Sequence, residues 1–419
     1  MKTTTTLLLI ALSAQANAGE QVRFELLPGM YPLDMSADGS VIVGNDIAFE
    51  TVRWTRSTGI ENLGRGTFGP LGIGAGTPDV SDDGTRISAT ILMDNGALAT
   101  QGVWTEGQGW EELMPPPPAD GGLIDLSYGS AWGLSGNGEH VVGLYWRPNN
   151  FATGGAHASI ASMPGGVMDI GTDNGNSRAN HANFDASVIV GWEERFDGVW
   201  EPVVWEDGVM SRLGNSNVFS MADCVNPEGT IIGGNITSNF GSDFAFAMAS
   251  LWRKVGSGWQ HEFIGALPGT VAPFGLSTVR SMTPDASIVV GYNQTNLQSV
   301  TGFIWTPSEG IMDIEDWLTD RGVTIPANLN ILDVTAISQD GTIIAGIGAS
   351  TFDGSPIGFL ISPLCVADID GNGTLNFFDV SAFLQGYNAQ DPIADINGDG
   401  VFNFFDVSAF LSAYNAGCP

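Results

Sequence analysis

Two acidic twelve-residue segments near the C-terminus carry the residue types and spacing of an oxygen-lined cation site. The first places Asp368, Asp370, Asn372, Thr374, Asn376 and Asp379 at positions 1, 3, 5, 7, 9 and 12, and the second places Asp395, Asn397, Asp399, Val401, Asn403 and Asp406 there. Calcium takes six to eight oxygen ligands, and a looped backbone supplies them from side chains at positions 1, 3, 5, 9 and 12 and from the carbonyl at 7. Gly373 and Gly400 stand at position 6, where the chain must turn sharply. Each loop concentrates three carboxylates within a few ångströms, and a bound Ca²⁺ relieves that repulsion. Two ions are therefore expected, one per loop. Position 12 holds Asp where the usual loop has Glu.

The element that follows each loop must hold it in shape. Val380, Phe383, Leu384 and Tyr387 after the first loop, and Val407, Phe410, Leu411 and Tyr414 after the second, recur at i, i+3, i+4, i+7, so both segments are expected to be amphipathic helices. Asn-Phe-Phe-Asp-Val-Ser-Ala-Phe-Leu occurs at Asn376–Leu384 and again at Asn403–Leu411, a duplication that implies a pseudo-two-fold pair of loop-helix units. Phe378 and Phe405 are expected to pack in their core, whereas Phe377 and Phe404 are open between core and surface.

Duplicated loop-helix units with Asp at position 12 resemble type I dockerin modules over about Cys365 to Pro419, and the closing Gly417-Cys418-Pro419 is similar to Gly-Cys-terminated dockerin-like tails of bacterial secreted proteins. The resemblance implies calcium binding and docking onto a cohesin-like or other cell-surface receptor through loop positions 10 and 11 and the helix after them. Those positions are Phe377, Phe378, Phe404 and Phe405, not the small polar residues usual in cohesin-binding dockerins.

Lys2, the apolar stretch Leu7 to Leu12 and Ala16-Asn17-Ala18 read as a secretory signal peptide over residues 1–18. The expected mature chain is extracellular or attached to a cell surface, with no transmembrane segment. The 46 acidic residues against 14 basic ones give a formal net charge of -32, which disfavours nucleic acid and anionic membrane as partners. Three cysteines suit an oxidising compartment. Cys365 precedes the first loop and Cys418 nearly ends the chain, so a bridge between them is expected to tie the two ends of the calcium module together, contributing about 4 kcal/mol on the chain-entropy estimate. Cys224 is left as an inert buried thiol.

Upstream, one phrase recurs seven times, beginning at Ser36, Ser81, Ser135, Asn183, Asn226, Thr283 and Ser338, with starts 43 to 57 residues apart. It consists of a small polar residue, an Asp/Gly-type turn, and a β-branched run ending in a small residue, as in Ser36 to Gly44. A second apolar stretch follows, commonly with Trp (Trp54, Trp104, Trp205, Trp252, Trp305), then a third after a Gly-rich turn. The period suits a propeller blade of four short strands. The seventh copy lacks its last strand, and Val22 to Leu27 has the character to supply it, closing the ring. The expected fold is mainly β, a seven-bladed β-propeller over residues 19–364 followed by a small α-helical dockerin-like domain over 365–419. The phrases also resemble HAF-type extracellular repeats of bacterial secreted proteins.

Asp38, Asp83, Asp185, Glu228, Asp285 and Asp340 read as turn formers. The in-register tryptophans read as blade core, while Trp132, Trp146, Trp192, Trp200 and Trp317 fall outside the register and are the candidates for a ligand surface. His140, His157, His181 and His261 are scattered without a metalloprotease or nucleophile-elbow motif, and Glu193-Glu194 beside Trp192 is the one pair of acids that invites a glycosidase reading. No catalytic residue is assigned. The function expected is a secreted, calcium-binding, noncatalytic propeller that binds a carbohydrate or protein ligand and is attached through its dockerin-like module; the alternative is a glycoside hydrolase delivered by that module.

Overall fold

The computed structural model describes residues 22–65, 76–93, 99–113, 129–146, 155–163, 166–172, 175–238, 245–297, 299–363, 365–370 and 375–417. The expected signal peptide, the loop residues Asn372 and Thr374, and Cys418 lie outside them.

The chain is mainly β. Among the described residues the strands fall into seven successive groups of four, each antiparallel and hydrogen-bonded in chain order, as in Tyr31–Met35, Val41–Asn45, Thr51–Thr55 and Gly59–Gly64. The last group takes its fourth strand from the other end of the chain: Val22–Leu27 pairs antiparallel with Pro356–Pro363, from Val22 opposite Pro363 to Leu27 opposite Gly358. The first strands of the groups (Tyr31–Met35, Asp79–Val80, Gly129–Leu134, Ser177–Ala182, Met221–Val225, Leu276–Met282 and Leu329–Ile337) each touch the next, and the last touches the first. A ring of four-stranded sheets standing on their first strands is a β-propeller arrangement. The groups beginning at Met221 and Leu276 are also joined by one parallel pair, Ala247 opposite Leu276.

The recurring phrase builds the turn from the first to the second strand. Ser36 Oγ donates to Asp38 Oδ1 (2.8 Å), the Ser40 amide donates to the same oxygen (3.0 Å), and the Val41 amide donates to Ser36 Oγ (3.0 Å). Gly39 takes φ +70°, the left-handed conformation that glycine adopts without strain. Ser81 with Asp83 and Ser338 with Asp340 repeat the pattern, as expected of turn formers. In Asp185 the Ser187 hydroxyl and amide hold the carboxyl below the usual carboxylate range.

These turns are also tied to one another. The Ala37 amide donates to Asp82 O (3.0 Å), Asp82 to Gly136 O (2.8 Å), Asn137 to Phe184 O (2.9 Å), Phe184 to Pro227 O (3.2 Å) and, across the closure, Gln339 to Ala37 O (2.8 Å). Pro227 and Pro284 have no N–H to give.

In six of the seven first strands the pairing slips at the same place, three residues before the phrase, leaving Leu33, Trp132, Asn180, Asp223, Arg280 and Thr335 as bulged residues. The glycine that ends the β-branched run makes this possible. A Cβ on Gly44 would sit 1.9 Å from Tyr31 O, on Gly143 2.0 Å from Ser130 O, on Gly191 1.9 Å from Arg178 O, and on Gly346 2.2 Å from Asp333 O. The bulge pushes a first-strand carbonyl into the space that only glycine leaves empty, and turns the following side chain inward.

Trp54, Trp205, Trp252 and Trp305 are buried between sheets, as their register predicts. The segment after Ile314 forms a helix, α1 (Ile314–Asp320), capped by Asp313, with Trp317 and Leu318 in the same core as Ile331 and Val334. Trp317 is thus a core residue, not a ligand surface.

At the C-terminus α2 (Phe377–Ala389) and α3 (Phe404–Ala416) form around Phe383 and Phe410, which are buried and stack with ring centroids 4.2 Å apart at 5°. Phe378 and Phe405, expected in the core, are 68% exposed, and Leu384 and Leu411 are also on the surface. The reason lies in the phase of the helix. Its inward face begins at Asp379 and Asp406, which are fully buried, so the two residues before each acid point outward. Among the described residues no helix is long and apolar enough to cross a membrane.

Candidate metal loops and central cavity

Two places bring functional side chains together. In the first calcium-type loop the carboxylate oxygens of Asp368, Asp370 and Asp379 lie within 4.8 Å of one another. Asp379 is fixed by the helix it starts: its Oδ2 accepts from the Asn376 amide (2.8 Å) while Asn376 Oδ1 caps α2 by accepting from the Phe378 amide (2.7 Å). The second loop repeats this with Asp406, Asn403 and Phe405 (2.8 and 2.7 Å). There Asp395 Oδ2 accepts from the Gly400 amide (2.8 Å), and its Oδ1 is buried without a hydrogen-bond partner.

In both capping boxes the Asp at position 12 fills the place usual for Glu or Gln, reaching the N-cap amide while bordering the loop. Asn376 and Asn403 at position 9 each accept a helix N-terminal amide through one lone pair of the side-chain oxygen, which leaves a second lone pair for a ligand role, direct or through water. No Lys, Arg or His follows Arg321 in the chain.

The second place is the axis of the ring, a cavity of about 500 Å³. All six bulged residues line it, with Pro78 at the corresponding position of the remaining strand. Two of them on neighbouring strands, Asp223 and Arg280, are oppositely charged, and Asp333 on the next strand adds a second acid. Arg280 Nε lies 3.2 Å from Asp333 Oδ2, while Asp223, on the other side, accepts from Thr278 Oγ1 (2.6 Å). Burial raises the carboxyls of both Asp223 and Asp333, with Arg280 pulling the other way.

Asp34 and Asp79 look at first like an acid pair for catalysis. Their oxygens are engaged as interstrand clips: Asp34 Oδ2 accepts from the Val80 amide (2.8 Å) and Asp79 Oδ2 from the Leu134 amide (2.9 Å). Burial, reinforced by the Asp34 charge, raises Asp79 well above the usual carboxylate range. His181 takes the same position two strands on, with Nδ1 3.4 Å from the Val225 amide, and burial lowers its basicity. Cys224 also lines the cavity as a free thiol; burial, with Asp223 beside it, pushes its pKa up, away from nucleophilic use.

The acids that sequence singled out do not converge on the cavity. Glu193 is fully buried, accepts from Thr172 and pairs with Arg212 (2.9 Å), while Glu194 accepts from Asn176 Nδ2 (2.5 Å). Of the out-of-register tryptophans, Trp132 and Trp200 line the cavity, Trp192 is buried behind them, and Trp146 is 40% exposed but does not line it. The bulged ring itself was missed by sequence reasoning. The signal that marks it is the glycine closing each β-branched run.

No family model matches the chain, and no curated protein matches it. Solved structures resemble it distantly. The putative TolB from Agrobacterium tumefaciens is 12% identical with TM-score 0.42 over 82% of this chain and 99% of that one. Oligogalacturonate lyase from Vibrio parahaemolyticus is 13% identical with TM-score 0.49 over 82% and 98%. The β-propeller domain of the Trilobed protease from Pyrococcus furiosus is 12% identical with TM-score 0.47 over 80% and 94%.

Proposed function

We propose that this chain is a secreted, calcium-binding protein. In this reading a noncatalytic, seven-bladed propeller over residues 19–364 binds its ligand at the central cavity and is attached or assembled through a dockerin-like module over 365–419. One observation carries the calcium reading. Asp368, Asp370 and Asp379 gather their carboxylate oxygens within 4.8 Å in a part of the chain that contains no basic residue. Hard oxygen ligands and clustered negative charge suit Ca²⁺.

The ligand set is Asp368, Asp370, Asn372, Thr374 and Asp379 in the first loop and Asp395, Asn397, Asp399, Val401 and Asp406 in the second, with Asn376 and Asn403 acting directly or through water. The buried stack of Phe383 on Phe410 joins the two units, so an ion at either loop orders a shared core. Of the three cysteines Cys224 is free and buried, which leaves Cys365 and Cys418 for the bridge.

The four outward phenylalanines Phe377, Phe378, Phe404 and Phe405, 68 to 75% exposed, offer an apolar pseudo-symmetric surface for a cohesin-like or other cell-surface receptor. The glycosidase alternative, which the dockerin resemblance motivates, loses its most tempting pair of acids, since Glu193 and Glu194 are engaged by Arg212 and Asn176. Titrating the calcium-depleted full chain by calorimetry tests the proposal, with two bound ions expected; a chain that takes up no calcium rules it out.

A further inference from the structure

The cavity wall carries a continuous stack that neither blade packing nor the calcium module uses. The Arg178 guanidinium lies 3.5 Å over the Trp132 ring and 5.5 Å from Trp192. Trp192 stacks on Trp200 with centroids 4.1 Å apart at 9°, and Trp200 meets Phe219 edge-on at 5.1 Å. Trp192 is buried and serves as backing, whereas Trp200 is half-buried and Phe219 is 60% exposed, and both line the cavity.

The state of Arg178 is unusual for this chain. With 46 acidic residues against 14 basic ones, most described arginines sit in ion pairs, as do Arg53, Arg56, Arg195, Arg212, Arg280 and Arg321. Arg178 makes none among the described residues, its nearest charge partner being Asp223, which lines the same cavity and acts on it beyond ion-pair distance. Its Nε donates to Asn180 Oδ1 (2.6 Å), and one terminal nitrogen lies 3.8 Å from Met221 Sδ, a weak acceptor. The faces of the guanidinium are thus covered by indole while much of its N–H edge has no protein acceptor. A guanidinium held flat with a free edge matches the planar, bidentate geometry of a carboxylate. Next to it, exposed aromatic faces suit the C–H faces of a pyranose ring.

Resting on the reading of the cavity as the ligand site, we propose that it takes a carboxylate-bearing sugar, a uronic-acid unit of an acidic polysaccharide. Arg178 pairs with the carboxylate, and Trp200 and Phe219 stack on the neighbouring rings. Trp132 holds the guanidinium in plane, which makes it a positioning residue.

The test is binding of uronate oligomers (alginate, pectate and glucuronoxylan fragments) to the calcium-loaded full chain, followed by tryptophan fluorescence beside matched neutral glucans. Uronates are expected to bind at least tenfold more tightly than neutral oligomers. Arg178→Gln should erase that preference, and Trp200→Ala should weaken every oligomer that binds. Should Arg178→Gln fail to fold by circular dichroism, Arg178→Lys keeps the charge, loses the planar fork, and should still lower uronate affinity several-fold. Equal affinity for neutral and acidic oligomers, uronate binding that both Arg178 variants leave unchanged, or no uronate binding at all overturns the proposal. Tryptophan-dependent binding of neutral glucans alone would leave the cavity as the ligand site while removing its acid specificity, and calcium stoichiometry is measured independently of either.

Discussion

Asn226 Nδ2 donates to the carbonyl oxygen of Pro284 at 2.7 Å, and so does the work of a backbone amide that the chain lacks at Pro227. In five other copies the second or third residue of the phrase gives its own N–H to the next sheet. Pro227 has none, and Asn226 before it reaches across instead. The same Asn226 also organises its own turn, since Oδ1 accepts from the Thr230 and Ile231 amides (2.7 and 2.8 Å).

The two duties of Asn226 separate by mutation. Asn226→Ser restores the residue used at Ser36 and Ser81, keeping a turn acceptor but losing the reach to Pro284, and should cost about 1 kcal/mol. Asn226→Ala loses both and should cost roughly 2 kcal/mol or more, because buried amides are left unpaired. Urea unfolding of the two variants reads the difference; equal losses would show that the link to Pro284 contributes nothing.

Ala186 occupies, with φ +57°, the turn position filled by Gly39, Gly84 and Gly341 in other copies. A left-handed conformation costs a residue with Cβ about 1 kcal/mol relative to glycine. Ala186→Gly is therefore expected to stabilise the propeller by about 0.5 to 1 kcal/mol, raising its melting temperature, where the same change in a regular strand would lower it.

Burial and the nearby Asp34 charge raise Asp79, and burial raises Asp82, above the usual carboxylate range. A carboxyl with a raised folded-state pKa contributes stability that is present below its unfolded value and lost as pH rises through the folded one. The propeller should thus lose stability as pH climbs above the ordinary carboxylate range, apart from any calcium effect. Asp79→Asn keeps an acceptor for the Leu134 amide without the charge. In calcium-free buffer it should melt higher than wild type near neutral pH and not near about pH 4; equal gains at both would show that Asp79 charge is not the cause.

How much of this was legible follows from where each signal resides. The phrase turns and the closing strand Val22–Leu27 are marked by local patterns, and the hydrogen bonds follow them. Trp54 and Trp205 read correctly as core because their strands alternate in register. The cavity did not read, since the bulged residues Leu33, Trp132, Asn180, Asp223, Arg280 and Thr335 share a position and no chemistry. Their inward turn is set by the partner glycine on another strand. Phe378 and Phe405 misread because hydrophobicity alone does not fix helical phase; the buried carboxylates Asp379 and Asp406 do.

The measurement that bears most directly on the account is calcium stoichiometry in the full chain with Asp379→Asn, Asp406→Asn and both together. Asparagine retains an oxygen for the N-cap amide but removes one ligand charge, so the helices should persist while affinity at the altered loop falls at least tenfold. Wild type should bind two ions and gain about 2.7 kcal/mol of stability in the calcium module per ion at free calcium a hundredfold above Kd. Each single variant should retain one tight site and the double variant none. Two tight sites in every variant, or none in the wild type, would contradict it.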